Sequence, residues 1–317
     1  MANQANQIER LSLIDRQRVA KLPTPEKIFL FLSCTGSIEY PGTEKAVKEI
    51  AEKLNMELVE SEDQTCCTGY MLTCNALNPQ LALAATARNL SIPESMGLDV
   101  AVFCNGCYGY IRELNHLIHS NPNFKAVADE ALKVIGREYH GHVNIYHVQE
   151  LWYRQLDRIK SLVKRPLTGL RVSSHYGCHY LVNKDVAIDD FKYPTFMEEL
   201  YTALGATPVF YKERRACCGY SVGRGFTHRE ETVLPHLAKK MGSAAQEGVQ
   251  LMTTTCPGCN VALDREQPAL REKYGINVNI PVIDISQLIA FALGTPIEQL
   301  GFQANTTPVI PVLEQFL

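Results

Sequence analysis

This sequence predicts an α/β fold made of two similar βαβ-based domains related by internal duplication. Three observations predict it. Short apolar runs alternate with segments of helical periodicity, and that alternation implies parallel sheets. The alternation occurs twice along the 317 residues. A cysteine pattern, C…CC…CxxC, also occurs twice, as Cys34…Cys66-Cys67…Cys104-x-x-Cys107 and Cys178…Cys217-Cys218…Cys256-x-x-Cys259. The copies are offset by 144, 151 and 152 residues, the signature of a repeated unit.

In the first half, "KIFLFLSC" (27–34) reads as a buried strand ending on Cys34. "GTEKAVKEIAEKLN" (42–55) has helical spacing, with Ala46, Ile50 and Leu54 on one face. "MELVES" (56–61) is a second strand. "PQLALAATARNLSI" (79–92) is a helix entered through Pro79. "LDVAVFC" (98–104) is a third strand ending on Cys104, followed by the helix "YIRELNHLIHS" (110–120). The second half repeats this with strands at "LRVSSHYGC", "TPVFY" and "QLMTTTC". Its helices are "TFMEELYTALG", "ETVLPHLAKKMGSAAQEG" and "DISQLIAFALG". "YHVQELW" (146–152) answers "IDISQLI" (283–289).

These readings divide the chain into an extension (1–26), a first domain (27–165), a second domain (166–300) and a tail (301–317), with the boundary at "KRPLTG". "NQIERLSLIDRQRVAKL" reads as an amphipathic helix outside the repeat, and "TTPVIPVLEQFL", with two prolines, as an extended strap. Cys34, Cys104, Cys178 and Cys256 each end a predicted strand, and each CC pair follows another strand. All five cysteines of a half therefore converge on the strand C-terminal edge, where ligands collect in open α/β sheets.

The chain is 46% hydrophobic and 21% charged, with a formal net charge of −3. That balance gives no electrostatic footprint for nucleic acid or an anionic membrane. No run of about 18 apolar residues spans a bilayer, and the polar N-terminus lacks a charged-then-apolar signal pattern. A cytoplasmic location is expected, where eleven cysteines point to metal or redox chemistry rather than a disulfide framework.

A structural zinc site takes four ligands, and ordinary iron–sulfur clusters take four thiolates. Five cysteines per half exceed both. Either four hold a metal and one stays a reactive thiol, or all five serve a cluster of unusual geometry. Gly69, Gly106, Gly109, Gly219 and Gly258 flank these positions and allow close backbone approach. Cys74 has no counterpart in "CCGYSVGRG" and reads as a small buried hydrophobe.

"CCTG", "CNGCYG", "CCGY" and "CPGC", with "FLSCTGSIEYPGTEKAVKEI", "LALAATARNL" and "LDVAVFCNGCYGYIRELNHL", resemble the paired CCG cysteine-rich domains of the catalytic B subunit of heterodisulfide reductase. The resemblance covers about residues 27–295. Related pairs occur in a succinate dehydrogenase E-type subunit, glycolate oxidase iron–sulfur subunits and heterodisulfide-reductase-like complexes of sulfur oxidisers.

The resemblance implies two noncubane [4Fe–4S] clusters, one held by Cys34, Cys66, Cys67, Cys104 and Cys107, the other by Cys178, Cys217, Cys218, Cys256 and Cys259. It implies an oxidoreductase that cleaves or forms a disulfide between the two clusters. The substrate would be the heterodisulfide of coenzyme M and coenzyme B, or a sulfur species on a lipoate carrier protein. It also implies a ferredoxin-type C subunit and a flavin-containing A subunit as partners. The chain itself has no ferredoxin cysteine run and no GxGxxG loop after a strand. A non-catalytic electron-transfer or membrane-docking subunit, like the succinate dehydrogenase E type, is the alternative. A zinc-structural adaptor is the third class.

Protons must reach product thiolates. "SHYGCHY" sets His175 and His179 around Cys178 as candidate proton donors, where the first half has Phe31 and Thr35. The bland reading is a pair of structural histidines. His116 and His119 share a helix face and read as surface residues. Lys212, Arg214, Arg215 and Arg224 flank the second CC pair and are candidates for guiding an anionic substrate, or for a solvated loop.

Overall fold

A computed structural model describes residues 22–73, 76–181, 189–190, 193–220 and 228–317. It contains two four-stranded parallel sheets. β1 (Lys27–Phe31), β2 (Glu57–Val59), β3 (Val100–Val102) and β4 (Ile145–His147) form the first, in the order β2-β1-β3-β4. β5 (Arg171–His175), β6 (Thr207–Pro208), β7 (Leu251–Thr254) and β8 (Val282–Asp284) form the second, in the order β6-β5-β7-β8. The duplication read from the cysteines thus extends to strand order.

The fourth strand of each sheet is absent from the sequence expectation. Each is three residues long, too short to show a period. Each also ends on a polar residue that caps the next helix. The His147 ring accepts from Gln149 N–H, and Asp284 closes a capping box with Gln287.

The strands also end earlier than expected. β1, β3, β5 and β7 stop two or three residues before Cys34, Cys104, Cys178 and Cys256. Cys34 and Cys178 open the helices Cys34–Glu39 and Cys178–Leu181, while Cys104 and Cys256 are N-caps of Asn105–Ser120 and Pro257–Arg265. The apolar run continues past the last ladder bond because the turn is itself buried, with Phe103 and Ser33 at most 1% exposed.

The 231–248 segment forms two helices, Arg229–Thr232 and Leu234–Gln246, the second with Pro235 in its first turn. Proline disfavours a helical residue before it. The expected extended strap at the C-terminus is instead a helical turn, Ile310–Leu313, followed by a 3₁₀ turn, Glu314–Phe316. Val309 and Leu313 bury their side chains, and the N–H groups of Thr306 and Thr307 donate to Asp264 at 2.7 and 2.9 Å. Pro311 sits in the first turn of its helix, where its missing N–H costs nothing. Most of the expected N-terminal helix, and Cys74, lie outside the described residues. No helix among the described residues is long and apolar enough to cross a membrane.

The halves pack closely. The helix Pro41–Lys53 lies on Ile285–Ala292. A Cβ at Gly42 would sit 1.8 Å from the Leu300 carbonyl oxygen, so only glycine permits that approach. Trp152 Nε1 donates to Ser286 Oγ at 3.3 Å, and Tyr40 OH donates to Asp264 at 3.2 Å.

Candidate metal centre at the junction of the two sheets

Strand order places the topological switch point of the first sheet between β1 and β3, and that of the second between β5 and β7. The loops leaving those strands carry Cys34 and Cys104 in one sheet, Cys178 and Cys256 in the other. The CC pairs arrive from the loops after β2 and β6. One side chain on a following helix holds each of those loops. Asn89 accepts from Thr65 N–H and donates to the Thr65 and Cys66 carbonyls. Lys240, 151 positions later and fully buried, donates to the Glu213 and Arg214 carbonyls.

The ten thiols form one unbroken chain. Cys34 contacts Cys66, which contacts Cys67, then Cys107, then Cys104. Cys104 Sγ lies 3.9 Å from Cys256 Sγ, the step between the halves. Cys256 contacts Cys259, which lies 3.4 Å from Cys218. Cys218 contacts Cys217, which lies 3.5 Å from Cys178. Each first-half cysteine occupies the position of its repeat equivalent, counted from the central Cys104–Cys256 step. The order of thiol contacts in one half thus mirrors the order in the other.

Crowding forces these thiols to share protons. Cys67 and Cys256 are held well below the ordinary thiol range because two neighbours donate to each. Cys217 is pushed down to about 2 by donation from Cys178 and Cys218. Their donors move up: the bond to Cys217 raises Cys178 and takes Cys218 to about 12. Thiolate is the form that ligates metal.

A cavity of about 430 Å³ opens on the first half's thiols. Cys34, Cys66, Cys67, Cys104 and Cys107 all line it, joined by Cys256 from the second half. Its outer wall is apolar, from Ile38, Met71 and Val261, and Tyr110, Tyr220 and His179 line it as well. Arg265 also reaches it, but bonds Glu39 at 2.6 Å.

The two candidate histidines separate. His179 is half-buried and lines the cavity, its ring edge-on to Tyr110 at 5.0 Å between centroids. It reaches the first half's thiols because its helix approaches Gly109, where a Cβ would lie 3.1 Å from the His179 Cβ. His175 ends β5, is 1% exposed and does not line the cavity. Burial pushes its pKa down to about 3, so its ring is neutral. His116 and His119 are exposed on Asn105–Ser120.

Arg214 does not face a ligand. It is buried, donates to Glu198 at 2.7 Å and stacks on Phe210. Glu198 also accepts from Ser174 Oγ at 2.5 Å and Tyr176 OH at 2.6 Å. Lys212 and Arg215 are exposed, and Arg215 stacks on Tyr193. Arg224 lies outside the described residues.

Sequence reasoning missed Asn105. Its side chain donates to the Tyr176 carbonyl at 2.8 Å and to Thr255 Oγ1 at 2.7 Å, pinning the two cysteine loops together. The signal was present in "CNGC" against "CPGC": the repeat position that holds Pro257 in one copy holds a hydrogen-bonding residue in the other.

Comparison with known proteins agrees with this arrangement. The CCG cysteine-rich domain family matches residues 28–112 and 172–264. The chain is 35% identical over 290 residues to the B subunit of the ferredoxin/F420H2-dependent CoB-CoM heterodisulfide reductase of Methanosarcina acetivorans, covering 90% of this chain and 96% of that one. It is 29% identical to the 8-methylmenaquinol:fumarate reductase membrane anchor subunit of Wolinella succinogenes, covering 88% and 97%. A hypothetical protein from Helicobacter pylori shares the fold, with a TM-score of 0.67 at 14% identity, over 93% of this chain and 57% of that one. The duplicated domain and the near full-length identity together place this chain in the family of heterodisulfide reductase B subunits, with two copies of the CCG cysteine-rich domain.

Proposed function

We propose that this chain is the iron–sulfur subunit of a heterodisulfide-reductase-like complex, and that the disulfide is cleaved or formed at the cavity lined by the first half's five thiols and Cys256. The unbroken thiol chain carries the reading: ten soft donors, five per half, converge at one junction. Their chemistry fits iron–sulfur centres. Cys34, Cys66, Cys67, Cys104 and Cys107 would hold one [4Fe–4S] cluster of noncubane type; Cys178, Cys217, Cys218, Cys256 and Cys259 would hold the second. The repeats 27–165 and 166–300 would each supply one set. Bound there, such centres would supply or accept electrons one at a time.

Reducing a disulfide consumes two electrons and two protons and yields two thiols. The protein's own part is to position the S–S bond and to manage protons. The apolar wall of Ile38, Met71 and Val261 would seat an aliphatic disulfide and displace water from it. His179, in that wall, is the proton-handling residue for a product thiol. Electrons must enter from outside, so a ferredoxin-type subunit and a flavin subunit behind it are the implied partners. The physiological disulfide would be the coenzyme M–coenzyme B heterodisulfide or a lipoate-bound sulfur species, and the setting the cytoplasm.

Anaerobic reconstitution followed by iron and acid-labile sulfide assay tests the reading. Two four-iron clusters require about eight irons per chain; far fewer would sink it. Turnover of candidate disulfides with an artificial electron donor tests catalysis separately. The Wolinella succinogenes relative named as a membrane anchor subunit, at 29% identity, fits the non-catalytic alternative less well than the B subunit at 35% fits this reading. That alternative predicts centres that are reduced without any disulfide turnover.

A further inference from the structure

We propose that His175 is a sixth donor of the second centre, ligating metal through a ring nitrogen beside Cys218 and Cys259. This rests on the iron–sulfur reading above and adds a ligand outside the five-cysteine set. Three observations carry it.

The first is geometry. A ring nitrogen of His175 and the sulfurs of Cys218 and Cys259 all lie within 4.8 Å of one another, close enough for one ion to reach all three. It is the one mixed nitrogen–sulfur donor group of this kind among the described residues.

The second is an unmet bonding capacity. His175 is 1% exposed, yet neither Nδ1 nor Nε2 has a hydrogen-bond partner among the described residues. Buried polar groups are rarely left so, and each one asks for an explanation. His147, equally buried, shows the ordinary solution: its Nε2 lies 3.1 Å from the Thr255 carbonyl oxygen, and its Nδ1 accepts from Gln149 N–H. A metal beside Cys218 and Cys259 would occupy one His175 nitrogen.

The third is the repeat. Phe31 ends β1 where His175 ends β5, and both are buried. A hydrophobe suffices at that position to fill the core under the first thiol set. A histidine at the second is costly to bury unless its nitrogens are used. With His175 as ligand, the two centres are chemically unequal.

The test is pulsed EPR on the anaerobically reconstituted full chain, prepared with and without ¹⁵N-histidine. The expected result is a strongly coupled histidine nitrogen on the paramagnetic centre. It should shift with the isotope and be lost in His175→Phe while iron content and the first centre's signal persist. Isotope labelling needs no substitution, so it decides the matter even if the variant fails to fold. A loaded protein whose signals carry no histidine coupling, or only the weak coupling of an N–H···S contact, would overturn this proposal and leave the iron–sulfur reading intact. A protein that takes up no iron would overturn both.

Discussion

The two halves share strand order, thiol order and the helix-borne clamp on each CC loop, and differ in what lies beneath. The first half is open: Cys34 and Cys66 are exposed and the cavity opens on all five thiols. The second half holds Cys178 and Cys217 half-buried and Cys218 at 2% exposure. It also carries buried polar groups where the first has neutral or apolar ones: His175 for Phe31, and Lys240 for Asn89. Burial brings Lys240 down to about 7, opposed by the neighbouring Cys218, Cys259 and Cys217. The two copies keep the same five thiol positions and differ in the residues that support them. One half opens on a cavity, and the other carries polar groups around its thiols.

The sharpest way to break that comparison is to remove the second half's buried ion pair. Arg214→Met leaves the Glu198 carboxylate buried with its hydroxyl donors but without its cation. Breaking one side of such a pair costs about 3–5 kcal/mol. Chemical denaturation should show that loss. A cost under about 1 kcal/mol would mean that Glu198 is satisfied by Ser174 and Tyr176 alone.

Second in size is the contact between the halves. Gly177 has φ +74°, and a Cβ there would lie 2.3 Å from Asn105 Nδ2. Gly177→Ala combines left-handed strain with displacement of the Asn105 side chain, about 1–3 kcal/mol. Thermal unfolding measures this cost. Asn105→Ala made alongside it should prove non-additive with Gly177→Ala.

Both sites show where sequence reading succeeded and stopped. The doubled cysteine pattern was legible because the same cysteine spacing recurs in both copies, and it correctly placed the thiols of each half near the strand ends of one sheet. The pairing across the junction was not legible. Nothing in one chain's spacing says that Cys104 meets Cys256 rather than Cys178. Contacts such as Asn105 with the Tyr176 carbonyl depend on how two sheets dock, and docking leaves no period in the sequence. Arg214 misled for a related reason: a basic residue beside a ligand loop reads as exposed until its carboxylate partner, 16 positions away, is seen to be buried with it.

A third, smaller effect follows from His147, which supports the first sheet as Asp284 supports the second. Its pKa is pushed down to about 3 by burial, while an unfolded histidine titrates near 6.5. Below about pH 6.5 the unfolded chain binds a proton that the folded one cannot. Stability is therefore full above that pH and falls by about 1.4 kcal/mol per unit down to about pH 3. In equilibrium unfolding of the metal-free protein, His147→Gln should take about 1.4 kcal/mol per pH unit off the acid slope, leaving the like contribution of buried His175. An unchanged slope would place the acid sensitivity elsewhere.

The smallest effect on stability should accompany a large one on function. Ile38 stands at the cavity rim and is 77% exposed, so Ile38→Glu should change unfolding free energy by no more than about 0.5 kcal/mol. If the open half seats an aliphatic disulfide, a carboxylate there raises KM about tenfold, or about 1.4 kcal/mol, with kcat little changed, because the rim contact is made in ground and transition states alike. Arg265, already bonded to Glu39 at 2.6 Å, is not placed to neutralise the new charge fully. An unchanged KM would move the substrate away from this wall. That outcome would shift attention to the second half, whose thiols would then have to be reached through the loops around Cys178 and Cys217.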